Sequence, residues 1–102
     1  MTKFLVDRVE NLPLGSLKNI TAGGKEILIA NVDGKFCAID NICNHAGAEL
    51  HEGTLEGNEL VCPWHGAKWN VENGDLIWFP QKLKNQQVYD VVIEDNNLYI
   101  EI

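Results

Sequence analysis

The sequence predicts an all-β fold, a sandwich or barrel formed by one domain of 102 residues. Three observations carry that expectation. Apolar residues fall in short runs or alternate with polar ones. Turn signals built on Gly, Asn, Asp and Pro punctuate the chain about every eight to twelve residues. No stretch shows a long 3.6-residue apolar period, so no amphipathic helix is expected.

Phe4-Leu5-Val6 opens as a short strand, and Val9 to Leu14 reads as a connector ending at Pro13 and Gly15. Ser16 to Ile20 suits a second strand, with Thr21-Ala22-Gly23-Gly24 as its turn. Glu26 to Val32 is the strongest strand of the first half, and Asp33-Gly34 after it is a dipeptide favoured in two-residue hairpins. Lys35 to Asp40 is the return strand. Glu56-Gly57-Asn58-Glu59 reads as a turn, Leu60-Val61 as a strand, and Ala67 to Val71 as an alternating strand turned by Glu72-Asn73-Gly74-Asp75. Leu76 to Phe79 is apolar and ends at Pro80, and Gln81 to Gln87 is polar. Val88 to Glu94 and Leu98 to Ile102 form a last pair around Asp95-Asn96-Asn97.

Composition narrows the class. Hydrophobic content of 45% and charged content of 23% fit a globular domain. The amino-terminal stretch lacks a long apolar core and a cleavage site, which argues against a signal peptide, and no run approaches membrane-spanning length. A net charge of −7 argues against nucleic acid, whose phosphates require a basic surface. The acids concentrate between Cys43 and Pro80, where Glu49, Glu52, Glu56, Glu59, Glu72 and Asp75 face a single base, Lys68. Such an excess is either a solvated surface or a docking face for a basic partner.

Two short knuckles carry the chemistry. One reads Cys43-Asn44-His45, the other Cys62-Pro63-Trp64-His65, with sixteen residues between His45 and Cys62. They hold two of the three cysteines and two of the three histidines, a thiolate and imidazole set that binds metal. Gly47 and Gly66 follow the knuckles and permit tight turns. A structural zinc site more often pairs like with like, whereas here each knuckle brings one cysteine and one histidine. That mixture suits two chemically distinct irons, and zinc stands as the alternative. Cys37 lies in a strand-like run and is expected to be buried and to bind no metal; His51 is expected in a surface loop.

Cys43-Asn44-His45-Ala46-Gly47 and Cys62-Pro63-Trp64-His65-Gly66 resemble the Rieske signature at every ligand position, and the resemblance extends over nearly the whole chain. It implies one [2Fe–2S] cluster, with Cys43 and Cys62 on one iron and His45 and His65 on the other. It implies a fold of stacked antiparallel sheets in one Rieske domain. A base of about residues 1–40 and 81–102 would carry an inserted cluster-binding sub-domain of about 41–80. Pro80 would lie in a loop covering the cluster.

Two departures from high-potential members bear on function. Ala48 and Trp64 stand where those proteins join the loops by a disulfide, and Ala67 and Trp69 stand where they place hydroxyl donors to the cluster sulfurs. Fewer donors to sulfur destabilise the reduced state, so a low potential is expected. This pattern resembles soluble ferredoxins that feed ring-hydroxylating oxygenases. The implied function is a cytoplasmic, monomeric one-electron carrier between a flavin-dependent reductase and a terminal oxygenase, with no enzymatic site of its own. The alternatives are the small subunit of an assimilatory nitrite reductase and a structural zinc-binding module. A complete oxygenase would need a second domain with a mononuclear iron site, for which the chain is too short.

Overall fold

The Asp33-Gly34 turn sets the framework. Both residues take positive φ, 52° and 92°, as a two-residue hairpin turn requires. The flanking strands, β3 (Lys25–Val32) and β4 (Lys35–Asp40), therefore pair in register from Val32↔Lys35 to Ile27↔Asp40. The same device recurs at Gly23-Gly24 and at Asp95-Asn96, all four residues again at positive φ. These turns join β2 (Leu17–Ala22) to β3 and β9 (Val88–Glu94) to β10 (Asn97–Glu101). The strand β1 (Lys3–Arg8) lies beside β10.

The computed structural model describes residues 2–43, 47–64, 66–80 and 83–102. Its strands form two sheets in which every pairing is antiparallel. The larger sheet has the order β1-β10-β9-β4-β3-β2. Within it β9 changes partner along its length: Val88 and Tyr89 pair with β4, and Asp90 to Glu94 pair with β10. The smaller sheet comprises β5 (Thr54–Glu56), β6 (Glu59–Val61), β7 (Lys68–Asn70) and β8 (Leu76–Trp78), in that order. No α-helix occurs among the described residues, and short 3₁₀ turns at Val9–Asn11 and Leu50–Glu52 are the helical elements there.

The run Ile27-Leu28-Ile29-Ala30 is fully buried because both faces of the β3–β4 hairpin are covered. Strand side chains alternate between faces, so Ile27, Ile29 and Ala38 enter one core with Leu98 and Ile100. Leu28, Ala30, Cys37 and Ile39 enter a second core with Leu50, Leu60, Trp69 and Val71. The hairpin is thus a shared wall, and continuous apolar sequence marks a strand buried on both sides. Each fully buried Leu or Ile contributes about 1.5–3 kcal/mol of transfer free energy.

Strand ends differ from expectation where turns are tighter than four residues. Thr21 and Ala22 belong to β2 because Gly23-Gly24 alone makes the turn. Gly57-Asn58 likewise turns β5 into β6, so Glu56 and Glu59 pair within the sheet. The strand β5 itself was not expected from its polar flanks.

Candidate metal centre

The two knuckles share one hydrogen-bond pattern. The Cys43 N–H donates to the Ala48 carbonyl at 2.8 Å, and the Gly47 N–H donates to the Cys43 carbonyl at 3.1 Å. In the second loop Cys62 donates to Ala67 at 2.8 Å and Gly66 donates to Cys62 at 3.2 Å. Gly47 and Gly66 close the loops at φ 76° and 73°. A Cβ at either would meet no atom of the described residues within 4 Å, and the positive φ by itself favours glycine there. The loops leave different elements: β4 leads through Asn41 and Ile42 to the first, and the second joins β6 to β7.

Cys43 and Cys62 are each 2% exposed, neither forms a disulfide, and both border the core that holds Ala48, Ala67, Leu50 and Trp69. His45 and His65 lie outside the described residues, as do Asn44 and Ala46. Among the described residues no three Cys, His, Asp or Glu gather as a ligand group, so the described part of the site is its two sulfurs. Two buried thiols on matched loops fit an iron–sulfur centre, because thiolates are its anchoring ligands. An apolar shell of Leu50, Leu60, Ala48 and Ala67 would keep water from it.

The junction leading to the first loop is tied from three sides. Asn41, fully buried, receives the Leu50 N–H on its carbonyl at 2.7 Å, and its own N–H donates to Glu26 at 2.9 Å. Its side-chain oxygen accepts the His51 N–H at 2.9 Å. His51 is therefore half-buried against Asn41, with Nδ1 at 3.2 Å from the same oxygen, and is not the plain surface residue expected. Gln86, 3% exposed, donates through Nε2 to the carbonyls of Asp40 at 3.0 Å and Ile42 at 2.9 Å. Nothing in its polar sequence context marks Gln86, because its role depends on a contact 46 residues away.

Other residues divide as follows. Cys37 is buried on β4, and that burial pushes its thiol pKa up. Phe79 and Leu83 pack onto the core on either side of Pro80, which is itself exposed, while Gln81 and Lys82 lie outside the described residues. Trp64, Ile77 and Trp78 are exposed, at 59%, 45% and 53%. Of the apolar run Leu76 to Phe79, Leu76 to Trp78 form the edge strand β8, on which Ile77 and Trp78 are exposed. The acidic set narrows too, because Glu72 bonds Asn58 at 3.4 Å and pairs with Lys35 at 3.3 Å, which hold its pKa low. Three buried polar groups, Ser16 Oγ, Asn41 Nδ2 and Trp69 Nε1, find no hydrogen-bond partner among the described residues. Leaving such a group unpaired costs about 1–3 kcal/mol.

An antiparallel β fold that presents two matched, cysteine-centred loops defines a class of protein that holds a metal centre between loops. Comparison with known proteins specifies it. The Rieske [2Fe–2S] domain family matches residues 2–90. The ferredoxin component of a naphthalene 1,2-dioxygenase system from Pseudomonas aeruginosa is 34% identical over all of this chain and 99% of its own length. The ferredoxin of carbazole 1,9a-dioxygenase from Nocardioides aromaticivorans superposes with a TM-score of 0.92 at 26% identity, covering 98% of this chain and 97% of its own. A solved complex of reduced oxygenase with oxidised ferredoxin in carbazole 1,9a-dioxygenase contains a chain with a TM-score of 0.91 at 26% identity, covering 96% of this chain and 91% of that one. The chain belongs to the Rieske [2Fe–2S] domain family, and its family implies one such cluster. No helix among the described residues is long and apolar enough to cross a membrane.

Proposed function

We propose that this protein is a one-electron carrier that receives electrons from a flavin-dependent reductase and delivers them to a terminal ring-hydroxylating oxygenase. In this reading Cys43 and Cys62 hold one iron of a [2Fe–2S] cluster and His45 and His65 hold the other. The observation that supports it best is the matched pair of buried thiol loops in a chain with a full-length relative that is a dioxygenase ferredoxin. The family cluster, when bound, takes up and releases one electron.

The chain's own residues define the rest. The buried sulfurs of Cys43 and Cys62 anchor the centre away from water, and the apolar shell limits solvent rearrangement when charge changes. A partner would dock over the loops beside Gly47, Trp64, Gly66 and Pro80, none of which is fully buried. Exposed Trp64 offers a partner apolar contact area there. Residues of about 41–80 form the cluster-binding sub-domain, and about 1–40 and 81–102 form its base. The carrier is monomeric and cytoplasmic, and the complex solved for the carbazole system supports an oxygenase as one partner.

Iron and acid-labile sulfide analysis tests the ligand set: about two of each per chain are expected. Zinc without labile sulfide would refute it. Cys62→Ser or His65→Ala should lose the cluster and much of the stability, because metal binding and folding are coupled.

A further inference from the structure

The smaller sheet has one covered face and one open face. Leu55, Leu60, Trp69 and Leu76 lie opposite one another across its four strands, and all of them pack into the core. Side chains alternate along a strand, so the neighbours of these residues face outward. One outward row is Thr54, Val61, Lys68 and Trp78. A second, about 7 Å along the strands, contains Glu56, Glu59 and Asn70.

A bulge gives the open face its aromatic ring. Lys68 and Trp69 are consecutive on β7, yet they oppose Trp78 and Leu76, so β8 carries one extra residue, Ile77. In an unbroken ladder Trp78 would share the inner face of Leu76. The bulge instead sets Trp78 on the outer face beside Lys68, with Ile77 exposed next to it. The acids of this face are arranged at a cost as well. Glu56 lies directly opposite Glu59, and like charges so placed destabilise a sheet. Neither forms an ion pair among the described residues. A partner that covers the apolar pair and brings cations to the glutamates relieves both costs.

We propose that this outer face, Ile77 and Trp78 together with Glu56 and Glu59, is a docking surface for the terminal oxygenase, approached from the flank of the smaller sheet rather than over the loop tips. The proposal rests on the carrier reading given above, and the oxygenase is the partner that the carbazole complex supports. The matching oxygenase surface presents an apolar side chain to Trp78 and Ile77, and lysine or arginine to the two glutamates. The face is continuous with the loops. Val61 and Lys68 flank the second loop, and Trp78 leads through Phe79 to exposed Pro80. Four strands spaced about 4.8 Å apart give room for one apolar anchor and its charged rim, the scale of a transient electron-transfer contact.

The test uses the cluster-loaded protein with its cognate oxygenase and reductase. Ile77→Ala with Trp78→Ala should raise the oxygenase KM for the reduced carrier about tenfold, the effect of truncating an interface anchor. Oxygenase kcat, cluster content, reduction potential and the rate of reduction by the reductase should stay unchanged. Glu56→Lys with Glu59→Lys should also raise that KM and weaken its dependence on salt. An unchanged KM in the apolar variant overturns the proposal. So does a loss confined to the reductase step, which would assign the face to the reductase. So does an unsubstituted protein that sediments as a dimer and a variant that sediments as a monomer, which would assign it to a second copy. If the apolar variant fails to load its cluster, the glutamate variant decides alone, and an unchanged KM there overturns the proposal. An unsubstituted protein that passes no electrons to its cognate oxygenase refutes the carrier reading itself, and this inference with it.

Discussion

Gly74 is a position where a single methyl group should be costly for two separate reasons. It ends the turn after β7 at φ 77°, and its N–H donates to the Asn70 carbonyl at 2.7 Å. Its own carbonyl accepts the Gln86 N–H at 2.8 Å. A Cβ placed there would fall inside contact distance of the Gln86 carbonyl oxygen and 3.1 Å from Val88 Cγ1. Gly74→Ala therefore combines two costs. Holding a non-glycine residue in the left-handed region costs about 1–2 kcal/mol. Forcing two hydrogen-bonded backbones apart adds about 1–3 kcal/mol, the usual range for overpacking. The total is about 2–5 kcal/mol.

Gly57→Ala separates the two terms. Gly57 also lies at positive φ, 63°, but nothing comes within 4 Å of its Cβ position. That variant should bear only the conformational cost. For a domain of this size 1 kcal/mol shifts the thermal midpoint by about 4–8 °C. At one fixed heating rate, bleaching of the cluster absorption should therefore occur at least about 4 °C lower in Gly74→Ala than in Gly57→Ala. Equal midpoints would show that the Gln86 segment simply moves aside, and that the clasp between the two segments is not rigid.

Further outcomes follow from other contacts. Gln86→Ala removes two hydrogen bonds to Asp40 and Ile42, so it should lose about 1–3 kcal/mol and bleach faster; an unchanged bleaching rate would contradict the clasp. Burial, then the bond to Asp40 at 2.6 Å, holds the Tyr89 hydroxyl pKa far above its ordinary value of about 10. That stabilisation is complete below about pH 10 and lost at higher pH, where the unfolded chain ionises first; Tyr89→Phe should show a flatter alkaline decline in stability, and identical slopes would refute this. The potential should lie near the low end of the Rieske range, about −150 mV rather than +300 mV, and Ala67→Ser should raise it. Voltammetry giving more than about +150 mV would contradict this reading. Reduction by the cognate reductase should slow as salt rises, and Glu49→Lys with Glu52→Lys should weaken that dependence; a rate insensitive to both removes the acidic docking face.

The fold was legible wherever local chemistry decides structure. Asp33-Gly34 positioned the β3–β4 hairpin to the residue, and the run Ile27 to Ala30 marked its central strand. The two matched loops at Cys43 and Cys62 were legible because the spacing of their cysteines and closing glycines is a local property of the sequence. What the sequence hid depends on distant contacts. Gln86 reaches Asp40 and Ile42 only after the chain has built a whole sheet. His51 is half-buried because Asn41, ten residues earlier, offers its side-chain oxygen. Ile77 and Trp78 face outward because β8 is an edge, a fact of strand order that no apolar run discloses. Gly53 belongs to the same group: its backbone is ordinary, but a Cβ there would collide with the Val61 carbonyl.

The two sulfurs hang from different parts of the architecture, and this decides what holds the site together. Each knuckle keeps its shape through its own two hydrogen bonds, so local order does not fix one loop relative to the other. The first loop continues from β4 in the larger sheet, and the second is the β6–β7 connection of the smaller. Their relative position is set by the packing of Leu28, Ala30 and Ile39 against Leu50, Leu60 and Trp69, and by the clasp at Gln86. High-potential relatives add a covalent tie between the loops, whereas Ala48 is buried here and Trp64 points into solvent. The core and the clasp must then do alone what a disulfide does there. Substitutions in the shared wall, far from either sulfur, should therefore loosen the cluster before they unfold either sheet.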